Sequence, residues 1–521
     1  MIFKASKLVS MEMSRNVQSI VNMMANILAF CISLVISFFI SPYIVRTLGA
    51  EANGFVTLAN NFISFATLLR TALNGVGTRY IIIEYNKGNI EKASKYYSSL
   101  FFGDLFLGIA FSVLSVGCVW KLESLVNISP RLVSDVKILF SVIFANYIFT
   151  AVTGVIGVST QIKNKIYLQS IRDIQSYVIR TVILIITFSL FKPKLFFLGI
   201  ASFVPSVVVT CYNYYYNKVL TPDLLIRKKY FSFAYIKELV SQGIWNSISS
   251  LGTLLLTNLD LLVANLLVGE ADMGVLSIAK SMPGVVASFG TTVSGVFFSV
   301  MTIDYAKGNM DDFIKTVKQS TRLTGFVTTI PLAYLLVFGK EFYSLWQPTL
   351  DSKQLQLLSV LTVAGLIFLA GANSIGTIFT ITLHVKERSI VTLVTGAISI
   401  IVTLLVVKFT HLGVYAIAGV SSIVNTASTL IYTVPFAAKF IGKKKETFFP
   451  VILRSLSSTV GLCLVGYVIK LFVSIDSWIT LIISALVFSV LAFGVNFVLM
   501  LDNETRILAV EYVKSKIKRN K

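Results

Sequence analysis

The chain has 521 residues, 55% of them hydrophobic and only 13% charged, and its mean hydropathy is +0.81. Soluble domains carry roughly 25% charged residues, so a water-soluble globule is excluded, and the longest polar connections, about 20 residues, are too short for a separate fold. The net charge of +21 does not require nucleic acid as a partner, because its distribution along the chain has a membrane explanation.

Hydropathy predicts fourteen spans, at roughly 19–45, 54–83, 97–120, 133–160, 170–191, 195–217, 239–268, 274–303, 320–339, 355–383, 389–408, 413–438, 450–474 and 477–501. The expected class is an all-α polytopic membrane protein with 14 transmembrane helices. The first run is too long for a signal-peptide core and reads as a retained helix. Several spans exceed the ~20 residues needed to cross, so they tilt or project. An even number puts both termini on one side. The termini and alternate loops then hold 31 of the 45 lysines and arginines, and the opposite loops hold 10. By the positive-inside rule the termini are cytoplasmic. Tyr212 and Tyr214–Tyr216 suit an interfacial aromatic belt, and the tail from Lys514 to Arg519 suits anionic headgroups.

Cys31, Cys118, Cys211 and Cys463 lie far apart in apolar runs, the only histidines are His384 and His411, and no phosphate-binding loop motif is present. No disulfide framework, metal site, cofactor or enzymatic chemistry is expected.

One stretch occurs twice at a constant offset of 220. Leu48-Gly49, Gly54, Thr71, Gly75-Val76, Ile83, Tyr85 and Lys87-Gly88-Asn89 recur as Val268-Gly269, Gly274, Thr291, Gly295-Val296, Ile303, Tyr305 and Lys307-Gly308-Asn309, with 11 of 42 positions identical. Two pseudo-symmetric six-helix lobes follow, both entering from the cytoplasm. The expected organisation is an N-lobe at 1–218, a basic linker at 219–238, a C-lobe at 239–440, two extra C-terminal helices at 441–502 and a basic tail at 503–521. Membrane transporters built from such halves hold their cargo between them.

The four of the 45 not assigned to loops, termini or span ends are Arg70, Arg79, Arg180 and Lys280. A charge at a helix centre costs about 2.5–3.5 kcal/mol on insertion scales, so it faces a cavity or a partner. The repeat duplicates none of them, since Gly290, Ser299 and Asn60 stand opposite Arg70, Arg79 and Lys280. Rise per residue places Arg70 and Arg180 at similar depths in the inner half, with Arg79 nearer the cytoplasm. Together they make a cationic ladder suited to a diphosphate, which guanidinium forks bind bidentately. Snorkelling is the competing account for Arg79 and Lys280, and internal pairing, for instance with Asp104, is the competing account for Arg180. Asp104 is also placed to neutralise Arg79. Asp260 and Lys280 form either a structural salt bridge or part of a gate, and Asp260 and Asp104 are the candidates for ion coupling. Pro283, Pro331 and Pro435 are expected to interrupt their helices.

The run from Ile36 to Gly49 (ISFFISPYIVRTLG) leading to Gly54, and Asn258-Leu259-Asp260-Leu261-Leu262-Val263 followed by Gly274-Val275-Leu276-Ser277-Ile278-Ala279, resemble the polysaccharide-biosynthesis flippases of the multidrug/oligosaccharidyl-lipid/polysaccharide exporter superfamily. The resemblance implies a MATE-like inverted-V bundle in the bacterial cytoplasmic membrane. It implies a polyprenyl-diphosphate-linked oligosaccharide as cargo, moved to the outer leaflet for surface polysaccharide assembly. The implied partners are that lipid-linked substrate, the bilayer and a polysaccharide polymerase or other assembly proteins, with the chain monomeric. The alternative is a cation-coupled exporter of drugs or small solutes, in which Asp260 and Asp104 are essential. Asn74, Asn146, Asn246 and Asn373 are candidates for sugar contacts and equally for helix–helix hydrogen bonds.

Overall fold

The computed structural model describes residues 15–502 and 506–507; the expected basic tail segment 514–519 lies outside them. The long helices in chain order are α1 (Arg15–Leu48), α2 (Ala50–Asn86), α3 (Ile90–Trp120), α4 (Val133–Ile162), α5 (Tyr167–Leu190), α6 (Phe196–Leu220), α7 (Phe233–Leu267), α8 (Glu270–Ala306), α9 (Met310–Trp346), α10 (Ser352–Leu369), α11 (Val385–Phe409), α12 (Val414–Phe440), α13 (Phe449–Phe472) and α14 (Trp478–Leu499). The protein is an all-helical, multi-pass membrane protein. Thirteen of the described helices are long and apolar enough to cross a bilayer. The other long helix, α2, spans 37 residues but carries Arg70, Arg79 and five asparagines. Intramembrane polar groups are costly and mark function. This long helix, the one not apolar enough by that measure, is therefore the first place to look for a site.

The chain packs as two compact units, Met1–Leu254 and Leu255–Lys521. The division falls inside α7 rather than in the linker, and hydrogen bonding explains why. Three serines of α3 bind the linker backbone: Leu225 N–H donates to Ser94 Oγ at 3.3 Å, Arg227 N–H to Ser98 Oγ at 3.1 Å, and Ser232 N–H to Ser99 Oγ at 3.1 Å. The first turns of α7 then lie against α2. Ser247 donates to Leu68 O at 2.6 Å, and a Cβ on Gly243 would stand 2.0 Å from Ala72 O, a backbone approach that only glycine permits.

The internal repeat is visible at atomic detail. After α2, Gly88 takes φ +83° while its N–H donates to Tyr85 O at 3.0 Å and Asn89 N–H donates to Glu84 O at 3.0 Å. After α8, Gly308 takes φ +77°, with Gly308 N–H to Tyr305 O at 3.0 Å and Asn309 N–H to Asp304 O at 3.1 Å. Both are the same left-handed helix stop, which glycine supplies without steric cost. The duplication extends past the recognisable sequence. Both α4 and the turns after α10 end in that stop on a non-glycine residue, Asn164 (φ 53°) and Leu383 (φ 63°). Asn22 of α1 secures the first, donating to Asn164 O at 2.8 Å and accepting from Tyr167 N–H at 2.9 Å. Leu383 is 86% exposed, so its left-handed backbone is uncompensated by burial. Leu383→Gly will raise stability by about 1 kcal/mol, read as a higher unfolding midpoint in detergent; a lower midpoint would show that the side chain holds the turn.

The two copies diverge where their helices break. Unlike the continuous α1 and α2, α7 is interrupted at Asn258 and α8 at Lys280. Pro283, with no N–H to give, leaves Ala279 O without its helical donor. Ser359 Oγ donates to that carbonyl at 2.8 Å and Tyr343 Oη at 3.5 Å. A π turn, Thr429–Thr433, precedes Pro435 in α12. Pro331 behaves differently from expectation: α9 runs unbroken through it, since one missing hydrogen bond is tolerated within a packed membrane helix. Outside the repeat, α14 docks on α9 through Asn496, whose Nδ2 donates to Phe326 O and Thr329 Oγ1, both at 2.9 Å.

Candidate functional site

Arg70 leaves the middle of α2 and reaches towards α3 and α4. Its Nε stands 3.6 Å from Asp104 Oδ1, and its Nη2 donates to Thr150 O at 3.4 Å. Asp104 is fully buried, and its Oδ1 accepts from Asn74 Nδ2 at 2.7 Å. Asp104 Oδ2 and Arg70 Nε have no hydrogen-bond partner. The ion pair therefore balances charge without saturating either group, and the Arg70 side chain remains 23% exposed.

The backbone of α4 makes room for it. Between Val133–Thr153 and Val158–Ile162 the helix tightens into a 3₁₀ turn, Gly154–Gly157, a distortion common at functional sites. A Cβ on Gly154 would stand 2.4 Å from Arg70 Nη2, and one on Gly157 would stand 3.3 Å from the Asn213 amide. Against this turn lies a cavity of about 220 Å³ whose polar lining includes Arg70, Asn74, Gln161, Gln169, Arg172 and Asn213.

The other expected site residues fall elsewhere. Arg180, on α5, is half-buried, makes no ion pair among the described residues and does not line the cavity; its Nε is buried without a partner. Arg79 is exposed at the far end of α2. Asp104 neutralises Arg70 rather than Arg79 or Arg180, because Arg70 is the one of the three that reaches α3. In the second unit Lys280 Nζ stands 2.8 Å from Asp260 Oδ2 and donates to Thr257 O at 2.7 Å. Ser421 Oγ donates to Asp260 Oδ2 at 3.1 Å. Lys280 thus sits at the break in α8 and caps the carbonyl freed by the break in α7. Of the asparagines, Asn74 belongs to the Asp104 cluster, Asn246 and Asn373 are exposed, and Asn146 Oδ1 is buried without a partner.

Arg172 is the residue that sequence reasoning missed. It falls just inside the predicted span 170–191 but counts there among the inner-loop cations; α5 begins at Tyr167, so Arg172 sits in its second turn and is 4% exposed. The available signal was Asn164, a residue suited to a left-handed helix stop, which moves the start of α5 upstream.

The fold has counterparts among known proteins. A family model described as polysaccharide biosynthesis protein matches residues 19–303. This chain belongs to that polysaccharide biosynthesis family. A relative at 28% identity over 499 residues, covering 94% of this chain and 97% of its own length, is the "Uncharacterized membrane protein EpsK" of Bacillus subtilis (strain 168). Among solved structures, the lipid II flippase MurJ in an inward closed conformation aligns with 90% of this chain and 97% of its own, at TM-score 0.66 and 14% identity. An inward-facing multidrug resistance MATE family transporter of the MOP superfamily aligns with 80% of this chain and 98% of its own, at TM-score 0.63 and 15% identity. At such identities these two establish the fold alone. This family member thus has the fold of membrane transporters and flippases, and its Arg70, midway along α2, is held by an incomplete ion pair.

Proposed function

We propose that this protein is a flippase that carries a polyprenyl-diphosphate-linked oligosaccharide from the cytoplasmic to the outer leaflet of a bacterial cytoplasmic membrane, by alternating access, for surface polysaccharide assembly. The observation that carries the proposal is Arg70: a guanidinium inside a membrane bundle, lining a polar cavity, with donors its buried carboxylate does not use. A diphosphate accepts from such a fork at two oxygens and is as strongly charged as the lipid-linked headgroup requires. Arg180, with its own unpartnered Nε, is the second headgroup contact. Arg79 is assigned to the inner surface, where an exposed arginine meets anionic lipid. Lys280 is assigned a structural role, because its ammonium is already held by Asp260 and Thr257 O.

The apolar half of the cargo also has a seat. In the second unit a cavity of about 700 Å³, lined by Phe289, Phe326, Pro331, Tyr334, Phe488 and Phe493 among others, offers almost no polar surface, which suits a prenyl chain. A cation-coupled exporter needs a carboxylate free to take up its ion. Here Asp260 is engaged by a lysine and Asp104 by an arginine and an asparagine, which favours the flippase.

Deletion of the gene is expected to abolish surface polysaccharide while lipid-linked repeat units accumulate on the cytoplasmic leaflet, read by leaflet-selective chemical labelling. A deletion strain that keeps its polysaccharide and gains drug sensitivity would replace the flippase with the exporter.

A further inference from the structure

The polar cavity of the first unit is built around a second arginine that the lipid-headgroup assignment does not use. Arg172 is 4% exposed, makes no ion pair among the described residues, and leaves both Nε and Nη1 buried without a hydrogen-bond partner. Its one described aromatic neighbour is Tyr216, whose ring centroid lies 5.5 Å from the guanidinium carbon. The next residue, Asp173, is exposed and forms no ion pair with it. A buried guanidinium with unsatisfied donors is costly, and proteins keep such groups where a ligand completes them.

The lining agrees in charge and in kind. Arg70 and Arg172 bring two positive charges to a lining that holds no carboxylate; Asp104 pairs with Arg70 from behind, and Asp173, beside Arg172 in sequence, is exposed. Asn74, Gln161, Gln169 and Asn213 add amides, which donate to anions without adding charge. The 3₁₀ turn presents Gly154 and Gly157 as the cavity wall, where a side chain at either position would close on Arg70 or Asn213.

The second copy of the repeat provides an internal comparison. There the corner where the turns after α10 meet the start of α11 also receives an arginine, half-buried Arg388. That arginine is satisfied: Arg388 Nη1 donates to Gly376 O, and the guanidinium lies over Phe379. One copy has closed its corner with the protein's own carbonyl, and the other lines a cavity with an arginine whose Nε and Nη1 lack partners.

We propose that the cavity between α2, α4, α5 and α6 is a binding site for a phosphate-class anion, taken bidentately by Arg172 and reached by Arg70 from the opposite wall. The anion is either free phosphate or diphosphate, or the diphosphate carried by the lipid-linked cargo; the second source rests on the flippase assignment, and the first does not.

The test uses the full chain, purified and reconstituted in nanodiscs, with inorganic pyrophosphate and polyprenyl diphosphate as separate probes. Pyrophosphate is expected to raise the unfolding midpoint of the wild type, and Arg172→Gln to weaken its binding at least tenfold. The ligand-free Arg172→Gln protein is expected to unfold at or above the wild-type midpoint, because an uncompensated buried charge has been removed; a purely structural arginine would lower it. Arg172→Lys keeps the charge without the fork and is expected to bind with intermediate affinity, which keeps the test valid should the glutamine variant fold poorly. Arg172-dependent binding of pyrophosphate assigns a free-anion site. Arg172-dependent binding of polyprenyl diphosphate alone assigns a headgroup site. If neither probe binds the wild type, or both bind Arg172→Gln with unchanged affinity, the proposal is overturned. Export is scored separately in cells: lost binding with intact export upholds the site and removes it from the transport path, whereas unchanged binding with lost export overturns the site and leaves the flippase assignment standing.

Discussion

Cells carrying Arg70→Ala are expected to export surface polysaccharide at about one hundredth of the wild-type rate. The magnitude follows from losing two hydrogen bonds to a charged acceptor, about 3 kcal/mol in all. Arg70 also balances the fully buried Asp104, so alanine alone exposes the fold to a second penalty unrelated to cargo. Removing one member of a buried pair costs about 3–5 kcal/mol when the other is left charged. The decisive variant is therefore Arg70→Ala with Asp104→Asn, in which the remaining amide keeps its contact with Asn74 and no buried charge is stranded. Its unfolding midpoint in detergent should recover while export stays low. Normal export by that folded double variant would show that Arg70 serves the fold and that the headgroup lies elsewhere.

Lys280→Ala is expected to destabilise the second unit by about 3 kcal/mol. Asp260 is 7% exposed, and in the variant it retains one hydroxyl donor, Ser421, and no cation. Thr257 O, freed by the break in α7, loses its donor in the same step. Asp260→Asn in the Lys280→Ala background should restore most of the loss, and the coupling energy from the four-member cycle measures the pair directly. A coupling near zero would refute the structural assignment. If sodium ions restored the stability of Lys280→Ala, the carboxylate would instead be a cation seat that the lysine fills, and the exporter would regain its coupling residue.

Much of this architecture was legible in the sequence for a local reason. Each helix needs a continuous apolar run long enough to span lipid, and that run is a property of neighbouring residues. The repeat was legible for the same kind of reason: the stops at Gly88 and Gly308 require a positive φ, so glycine and its flanks persist at a fixed offset. Hydropathy marked only the apolar portion of a helix. It therefore placed the starts of α3 and α9 at 97 and 320 rather than at Ile90 and Met310, where helical hydrogen bonding continues into polar sequence.

The partners of the charges belonged to tertiary structure alone. Sequence placed four cations inside the bundle by depth along each helix, but depth does not fix azimuth or neighbour. Packing decided that Asp104 meets Arg70, that Lys280 bridges two broken helices and that Arg79 stays exposed. Arg172 shows the distinction most clearly. Its burial depends on where a left-handed turn at Asn164, held by Asn22 of α1, starts the next helix and on Tyr216 of α6 packing against the guanidinium. Those are contacts between segments far apart in the chain, made only once the helices have packed against one another.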